Sequence, residues 1–312
     1  MKFFAAPLQG YTEASYRHFH AEVYGCRNGA ADVYYTPFVR VERNEVRQRD
    51  LKDTCSPLNI NHSVVPQIIV RDKDEFTILV DTLIREGHKA IDLNMGCPFP
   101  PQTGKGRGAA LIANTCVLEE IVESMHQYAS AGIEFSAKMR LGVDSSDEWQ
   151  QSIDVMNRMP LTHLTVHPRV ARQQYSGELD FKALDRLIEC TAHKIVFNGD
   201  IKTTDDINRI AGRFPSITTI MTGRGLLARP SLIAEWRNGS IWDHKERLDH
   251  ILALHTGIIN HYETTLCGES QILSKLKPFW EYLEDEIGRK TWKAIRKAAS
   301  LSRYTAAISS LY

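Results

Sequence analysis

Short apolar segments rich in β-branched residues recur along most of the chain, separated by longer stretches with helical periodicity. In the stretches 74–86 and 117–129, for example, apolar residues recur at the spacing of one helix face. Alternating strands and helices favour parallel strand pairing, and eight such units close into a (β/α)8 TIM barrel. The eight predicted strands are Phe3–Ala6, Val33–Thr36, Gln67–Val70, Ala90–Asn94, Phe135–Met139, His163–His167, Lys194–Phe197 and Thr219–Met221.

The rhythm changes after about Ser240. Residues 242–312 contain three apolar stripes at helical spacing and no convincing strand. This pattern is typical of a small helical bundle packed beside the barrel. We therefore predict an α/β barrel domain over residues 1–239 and a C-terminal all-α helical-bundle domain over residues 240–312.

The composition restricts the class of protein but does not indicate an activity. With 43% hydrophobic and 24% charged residues the chain resembles an ordinary soluble globular protein, and no apolar run approaches the roughly 20 residues of a membrane span. Six cysteines without a Cys-x-x-Cys pair fit a reducing compartment, so a cytoplasmic location is expected. The net charge of zero counts mildly against a nucleic-acid partner. The run Arg289–Arg303 is locally basic, and a solvated helix face is its simpler interpretation.

The predicted strands end in polar or glycine-rich residues, at the edge where barrel enzymes place their chemistry. Gly199, Gly223 and Gly225 allow the backbone to approach an anion closely, and Arg224 adds a positive charge. Two such turns on consecutive strands favour a phosphate site over ordinary tight turns.

Lys138 lies inside a predicted strand, where a charged side chain must face a polar site or an ion-pair partner. It could hold the negative charge of a reduced isoalloxazine ring, or it could pair with Asp92 or Glu134. His167 is either a buried core histidine or a ligand contact. Gln67 brings an amide that can donate and accept.

Cys97 follows the fourth predicted strand in a Gly-Cys-Pro turn. A thiol there can act as a nucleophile or as a proton donor, whereas an inert buried thiol is the ordinary role of a cysteine. The following segment 98–109 is rich in glycine and proline and carries Lys105 and Arg107. We expect a mobile basic flap suited to an anionic substrate.

In these motifs and their order the chain resembles the dihydrouridine synthase family over most of residues 1–228, and more loosely beyond. The most specific match is Asn94-Met95-Gly96-Cys97-Pro98 followed by Gly106-Arg107-Gly108-Ala109. Further blocks match in order: Ala6-Pro7-Leu8-Gln9-Gly10, Lys138-Met139-Arg140, His167-Pro168-Arg169, Asn198-Gly199-Asp200 and Gly223-Arg224-Gly225. The segment 140–163 is short for the family.

The resemblance implies FMN-dependent reduction of the 5,6 double bond of uridines in tRNA or another structured RNA, with NADPH as reductant. Cys97 would be the acid that protonates uracil C5 after hydride reaches C6. The implied cofactor contacts are Pro7, Leu8, Gln67, Lys138, His167, Asn198, Gly199, Asp200, Gly223 and Arg224. The implied substrate contacts are Asn94, Lys105, Arg107, Arg169, Tyr175, Lys290, Lys293, Arg296 and Lys297. The barrel would bind FMN and the helical domain would bind RNA. No metal or membrane is implied, and a monomer is expected.

Two other functions fit parts of the sequence. A flavin-dependent reductase or dehydrogenase of a free pyrimidine, of the dihydroorotate type, also has an active-site cysteine before a proline, but has no need of a basic helical tail. A non-catalytic RNA-binding barrel predicts the loss of Cys97, Lys138 or the phosphate turns, and the chain has all of them.

Overall fold

A computed structural model of the chain describes residues 1–311. The strands are β1 Lys2–Ala5, β2 Val33–Tyr35, β3 Val41–Glu42, β4 Glu45–Val46, β5 Val64–Val65, β6 Gln67–Ile68, β7 Ala90–Met95, β8 Glu134–Gly142, β9 Leu161–Val170, β10 Ile195–Asn198 and β11 Thr219–Thr222. Nine of them form one parallel sheet in the order β5-β2-β1-β11-β10-β9-β8-β7-β6, and β3 and β4 form a separate antiparallel hairpin.

The sheet closes into a barrel at Pro66, the single residue between β5 and β6. β5 pairs with β2 on one side, and β6 pairs with β7 on the other. A proline has no N–H to contribute to a strand ladder, but the Pro66 carbonyl accepts a 2.9 Å hydrogen bond from the Asp92 N–H. The third barrel strand is thus a proline-interrupted strand that begins at Val64, three residues before the predicted start. The predicted (β/α)8 barrel is confirmed.

Helices follow the strands on the outside of the barrel and continue to the C-terminus. They are α1 Ala14–Gly25, α2 Gln48–Thr54, α3 Lys73–Arg85, α4 Pro100–Thr103, α5 Thr115–Ser130, α6 Ile153–Asn157, α7 Phe181–Cys190, α8 Thr204–Arg213, α9 Arg224–Ala228, α10 Leu232–Asn238, α11 His244–Thr265, α12 Glu269–Leu276, α13 Glu284–Ile287, α14 Arg289–Lys297 and α15 Leu301–Ile308. Between β8 and β9, where the sequence is short for the family, the structure has only a short 3-10 turn and the five residues of α6.

Strand alternation sorts the side chains between two environments. Outward-facing residues such as Ile91 and Leu93 are fully buried beneath the helices. Part of the barrel interior is apolar, filled by a cluster that includes Phe4, Val196 and Met221. The interior side formed by β6 to β9 is polar instead: Gln67, Asp92, Ser136 and Thr165 are all buried there. This buried polar layer lies directly below the strand ends where the sequence predicts chemistry.

The C-terminal helices α11 to α15 have a hydrophobic cluster of their own, which takes in Tyr16 and Tyr24 of α1. Polar contacts add to this junction, since Tyr262 of α11 lies 2.7 Å from the Ser15 hydroxyl. α10 ends at Asn238 and is followed by Gly239, which adopts a left-handed conformation, close to the predicted domain boundary. The division into domains 1–239 and 240–312 stays a prediction, and Tyr312 lies outside the described residues. None of the helices within residues 1–311 combines the length and apolar character of a membrane crossing.

Candidate active site

The carboxyl ends of the barrel strands surround one open cleft of about 980 Å³, including the part that is continuous with solvent. Barrel enzymes carry their active sites at this face. The cleft brings together thirteen of the residues that the sequence singled out, although their individual roles stay predictions: Pro7, Leu8, Gln67, Asn94, Cys97, Lys138, His167, Tyr175, Asn198, Gly199, Asp200, Gly223 and Arg224.

The turn that carries Cys97 is held from both sides. The Asn94 side-chain oxygen accepts hydrogen bonds from the backbone N–H groups of Gly96 (3.0 Å) and Cys97 (2.8 Å). On the other side the chain folds back, so that the Ala109 N–H donates to the Cys97 carbonyl at 3.1 Å. This close approach requires Gly108, which has φ +62° and where a Cβ atom would lie 2.8 Å from Cys97 Cβ. The family motif therefore has a local structural reason.

Cys97 is placed to keep its proton. Burial raises the pKa of the thiol above its ordinary value, although the Phe99 N–H and the positive charges of Arg140 and Lys138 oppose the shift. At neutral pH the side chain is therefore a thiol rather than a thiolate. A nucleophilic cysteine needs the opposite environment, one that lowers its pKa. The raised pKa of the Cys97 thiol favours the role of proton donor over that of nucleophile.

Lys138 extends from β8 into the cleft, half-buried. Neither Asp92 nor Glu134 lies within ion-pair distance of its ammonium group, so the predicted alternative of a structural ion pair is not formed among the described residues. Burial, together with the repulsion of Arg140, lowers the pKa of Lys138 to about 8. A partly buried ammonium with no ion-pair partner among the described residues is unfavourable in the protein alone and suits a site that receives negative charge.

Gln67 is held rigidly by its neighbours. Its side-chain N–H2 donates to Asp92 at 2.7 Å, and its side-chain oxygen accepts from the Asn94 amide, also at 2.7 Å. One amide hydrogen and one oxygen lone pair remain for a ligand in the cleft. The predicted contact of Gln67 with a cofactor ring is compatible with this arrangement.

The predicted phosphate site is formed by the turns after β10 and β11. Gly225 is required there, because a Cβ atom at this position would lie 1.7 Å from the Ile201 carbonyl oxygen. The Arg224 guanidinium lies 4.2 Å from the centre of the Tyr175 ring. The Asn198 amide donates to the Met221 carbonyl at 2.8 Å and thereby joins the ends of the two strands. An anion at these turns would find Arg224 within the cleft lining.

Arg169 does not line the cleft, and its predicted contact with a substrate base stays a prediction. Its guanidinium is 3% exposed and donates to Asp200 at 2.9 and 2.6 Å and to the Gly177 carbonyl. Burial alone would raise the pKa of Asp200, but these bonds outweigh it and hold the pKa below its usual range. Arg169 Nη1 also lies 3.4 Å from His167 Nε2. Because a guanidinium only donates, His167 Nε2 must accept this hydrogen bond. Burial lowers the pKa of His167, so the ring is neutral.

Arg107 is not free to contact a ligand, as the predicted basic flap requires. Arg107 is buried, donates to the Glu75 carboxylate through two nitrogens, and donates to the Val41 carbonyl at 2.9 Å. This buried ion pair fixes the loop to α3 and to the β3–β4 hairpin. Lys105, two residues earlier, is exposed, and its contact with the substrate stays a prediction.

The four predicted basic contacts of α14 lie outside the cleft lining and are exposed: Lys290, Lys293, Arg296 and Lys297. Two further residues were missed. Arg140 lines the cleft, donates to the Gly96 carbonyl at 3.1 Å and lies 5.4 Å from the Tyr175 ring centre. Asp92 lies beneath Gln67. Each is two residues from a predicted site residue on the same strand and so faces the same side, a signal that strand periodicity contained.

Comparisons with known proteins identify a family and a fold. The sequence profile of the family described as "Dihydrouridine synthase" matches residues 4–307. A "Probable tRNA-dihydrouridine synthase 2" of Bacillus subtilis is 26% identical over 269 residues, which is 83% of this chain and 78% of the relative. A "Probable tRNA-dihydrouridine synthase" of Staphylococcus epidermidis is 27% identical over 288 residues, 89% of this chain and 83% of the relative. Among solved structures, morphinone reductase shares the fold, with a TM-score of 0.52 at 11% identity, over 78% of this chain and 87% of its own.

The barrel and the polar cleft at its carboxyl end define a TIM-barrel enzyme. Within that class, the chain belongs to the dihydrouridine synthase family, because the family profile spans nearly its whole length.

Proposed function

We propose that this protein reduces the 5,6 double bond of specific uridines in tRNA to dihydrouridine, with FMN as cofactor and NADPH as reductant. The observation that carries the proposal is that one cleft holds both the protonated, partly buried thiol of Cys97 and the partly buried ammonium of Lys138, which has no ion-pair partner among the described residues. A reaction that adds hydride and a proton across a double bond needs a proton donor and a site that stabilises negative charge. The relatives named tRNA-dihydrouridine synthases support the choice of substrate.

The residues of the cleft fit FMN. Lys138 lacks an anionic partner, and the buried Thr165 hydroxyl in the same polar layer has no hydrogen-bond partner among the described residues. Lys138 and Gln67 would hold the polar edge of the isoalloxazine ring. Leu8 would supply an apolar wall, and Arg224 with the turns after β10 and β11 would take the phosphate. When bound, FMN would supply the hydride, and NADPH would reduce the FMN again.

The protein's own groups do the remaining work. Cys97 Sγ–H donates its proton to C5 of the uracil, and because the residue is only partly buried, solvent can return the proton. The Asn94 oxygen holds the Cys97 turn, so the position of the thiol does not depend on the substrate. Tyr175, partly exposed at the rim between Arg140 and Arg224, gives a flipped base an aromatic surface.

We assign catalysis to residues 1–239 and RNA binding to residues 240–312, acting together as a cytoplasmic monomer. The exposed cations of α14 provide charge for phosphates. The helical region also contacts the loop at the cleft, since the Tyr11 hydroxyl donates to Glu281 at 2.8 Å. RNA held by the helices would thus lie next to the loop that carries Leu8 into the cleft.

The first test is the visible absorption spectrum of the purified protein, followed by anaerobic titration with NADPH. We expect a flavin spectrum that bleaches. The reduced protein is then incubated with tRNA from a strain that lacks dihydrouridine, and the nucleosides are analysed by mass spectrometry. Dihydrouridine in the tRNA supports the proposal, whereas turnover of free uridine or orotate but not of tRNA would replace it with a small-molecule reductase. A colourless protein that takes up no added FMN overturns it.

A further inference from the structure

Asp92 is a fully buried carboxylate that no predicted role accounts for. It lies in the middle of β7, with Gln67 opposite it on β6 and Ser136 opposite it on β8. The Ser136 hydroxyl donates to one of its oxygens at 2.6 Å, and the Gln67 amide donates to the other at 2.7 Å. Asp92 itself is absent from the cleft lining, so Gln67 separates it from any ligand there.

The hydrogen bonds above Asp92 run in one direction. An ionised carboxylate only accepts, so Gln67 must turn its N–H2 group towards Asp92 and its oxygen away. The Asn94 amide then donates to that oxygen at 2.7 Å. With its nitrogen committed, Asn94 presents its own oxygen to the N–H groups of Gly96 and Cys97.

The opposite order is excluded at both ends. If Gln67 were flipped, its oxygen would face the Asp92 carboxylate and its N–H2 group would face the Asn94 N–H2 group. If Asn94 flipped in response, its N–H2 group would face the N–H groups of the Cys97 turn, donor against donor. A carboxylate at one end and backbone donors at the other therefore allow a single arrangement, and buried groups without partners make the alternatives unfavourable.

We propose that Asp92 is a positioning residue, which orients the Gln67 amide for the cofactor and, through Asn94, holds the Cys97 turn in the geometry for proton transfer. The inference deepens the proposed function and rests on it for its catalytic meaning. Burial raises the pKa of Asp92 to about 6, opposed by the bonds from Gln67 and Ser136 and by the charge of Lys138. The carboxylate is thus ionised at neutral pH, as the arrangement requires.

Two variants of the FMN-loaded full-length protein separate position from charge. Asp92→Ala removes the acceptor of the Gln67 N–H2 group, so Gln67 can leave its position and Asn94 loses the fixed oxygen to which it donates. Asp92→Asn removes the charge but can keep the order, because its oxygen accepts from Gln67 while its N–H2 group donates to the Ser136 hydroxyl. Glu235→Ala is the matched control: Glu235 is also a fully buried carboxylate, bonded to Arg229 and outside the cleft lining.

Three readouts are followed: kcat and KM with tRNA, the flavin absorption spectrum, and the pH dependence of Cys97 alkylation, read by mass spectrometry of its peptide. For Asp92→Ala we expect kcat to fall about 100-fold with little change in KM, because the donor is misplaced rather than lost. The flavin bands and the alkylation midpoint should shift as well. Asp92→Asn should stay within about threefold of the wild type, since its hydrogen-bond order is intact.

Two results would contradict a positioning role for Asp92. A normal alkylation profile and kcat in Asp92→Ala would overturn the inference, as would equal effects in Glu235→Ala. If Asp92→Ala does not fold, Asp92→Asn still decides, because a kcat as low as about one hundredth of the wild type would show that charge matters and orientation does not. If the wild type makes no dihydrouridine, the proposed function fails, yet the alkylation profile and the flavin bands still report whether Asp92 positions Cys97 and Gln67.

Discussion

Replacing Lys138 by methionine should make the cofactor-free protein more stable and the cofactor-bound protein less functional. Lys138 is held in a site that lowers its pKa from 10.5 to about 8, mainly through burial. One pKa unit corresponds to about 1.4 kcal/mol. Keeping this ammonium charged at pH 7 therefore lowers the free energy of unfolding by up to about 3 kcal/mol. Methionine has a similar length and carries no charge, so the substitution removes this destabilisation.

The sign of the pH dependence follows from the same shift. Below pH 8 the ammonium is charged in the folded and the unfolded protein, and the destabilisation is complete. Between pH 8 and 10.5 the folded protein releases its proton first, so the wild type regains stability as the pH rises. The advantage of Lys138→Met should therefore be greatest at neutral pH and vanish near pH 10.5.

Urea denaturation of the FMN-free proteins at several pH values measures the first effect, and fluorescence titration with FMN measures the second. We expect the free energy of unfolding at pH 7 to rise by about 1 to 3 kcal/mol and the Kd of FMN to rise at least about tenfold, because a charged hydrogen bond to the ring is lost. Lys194→Met, at an exposed lysine just before β10, should change neither quantity. A variant that is less stable, with unchanged FMN affinity, would refute the reasoning.

Three further perturbations test other parts of the structure. Cys97→Ala should keep flavin binding and NADPH oxidation but lower dihydrouridine formation by at least about 100-fold, whereas removal of the exposed thiol of Cys190 should have no effect; surviving turnover would contradict the acid role. Arg107→Met removes the buried partner of Glu75 and should lower the free energy of unfolding in urea by about 3 kcal/mol, whereas exposed Lys105→Ala should change it by less than about 0.5 kcal/mol; equal losses would contradict the anchoring role. Neutralising the four exposed cations on α14 should weaken tRNA binding and reduce the slope of log Kd against log salt by about 3. The four residues are Lys290, Lys293, Arg296 and Lys297. An unchanged slope would mean that the RNA binds to another surface.

The barrel was predictable because its signals are local. The two-residue alternation of strands and the helical spacing between them are properties of short segments, and all eight predicted strands are present. The break at Pro66 was not predicted, because whether a proline ends a strand or interrupts it depends on the neighbouring strands that pair on each side. The Cys97 turn was recognised from its motif, yet the reason for Gly108 appears only in the folded chain, where a Cβ atom at this position would lie 2.8 Å from Cys97 Cβ.

By itself, the sequence determined the order of strands and helices, the polar residues at the strand ends and the family to which they belong. Only the tertiary structure decided which of the basic residues are available to a ligand. Arg107 and Arg169 are neutralised by acids 32 and 31 residues away, whereas Lys138 and Arg140 face the cleft without a carboxylate partner within residues 1–311. The physical reason is that the free energy of a buried charge depends on its nearest opposite charge, and that distance is set by the packing of segments far apart in the chain.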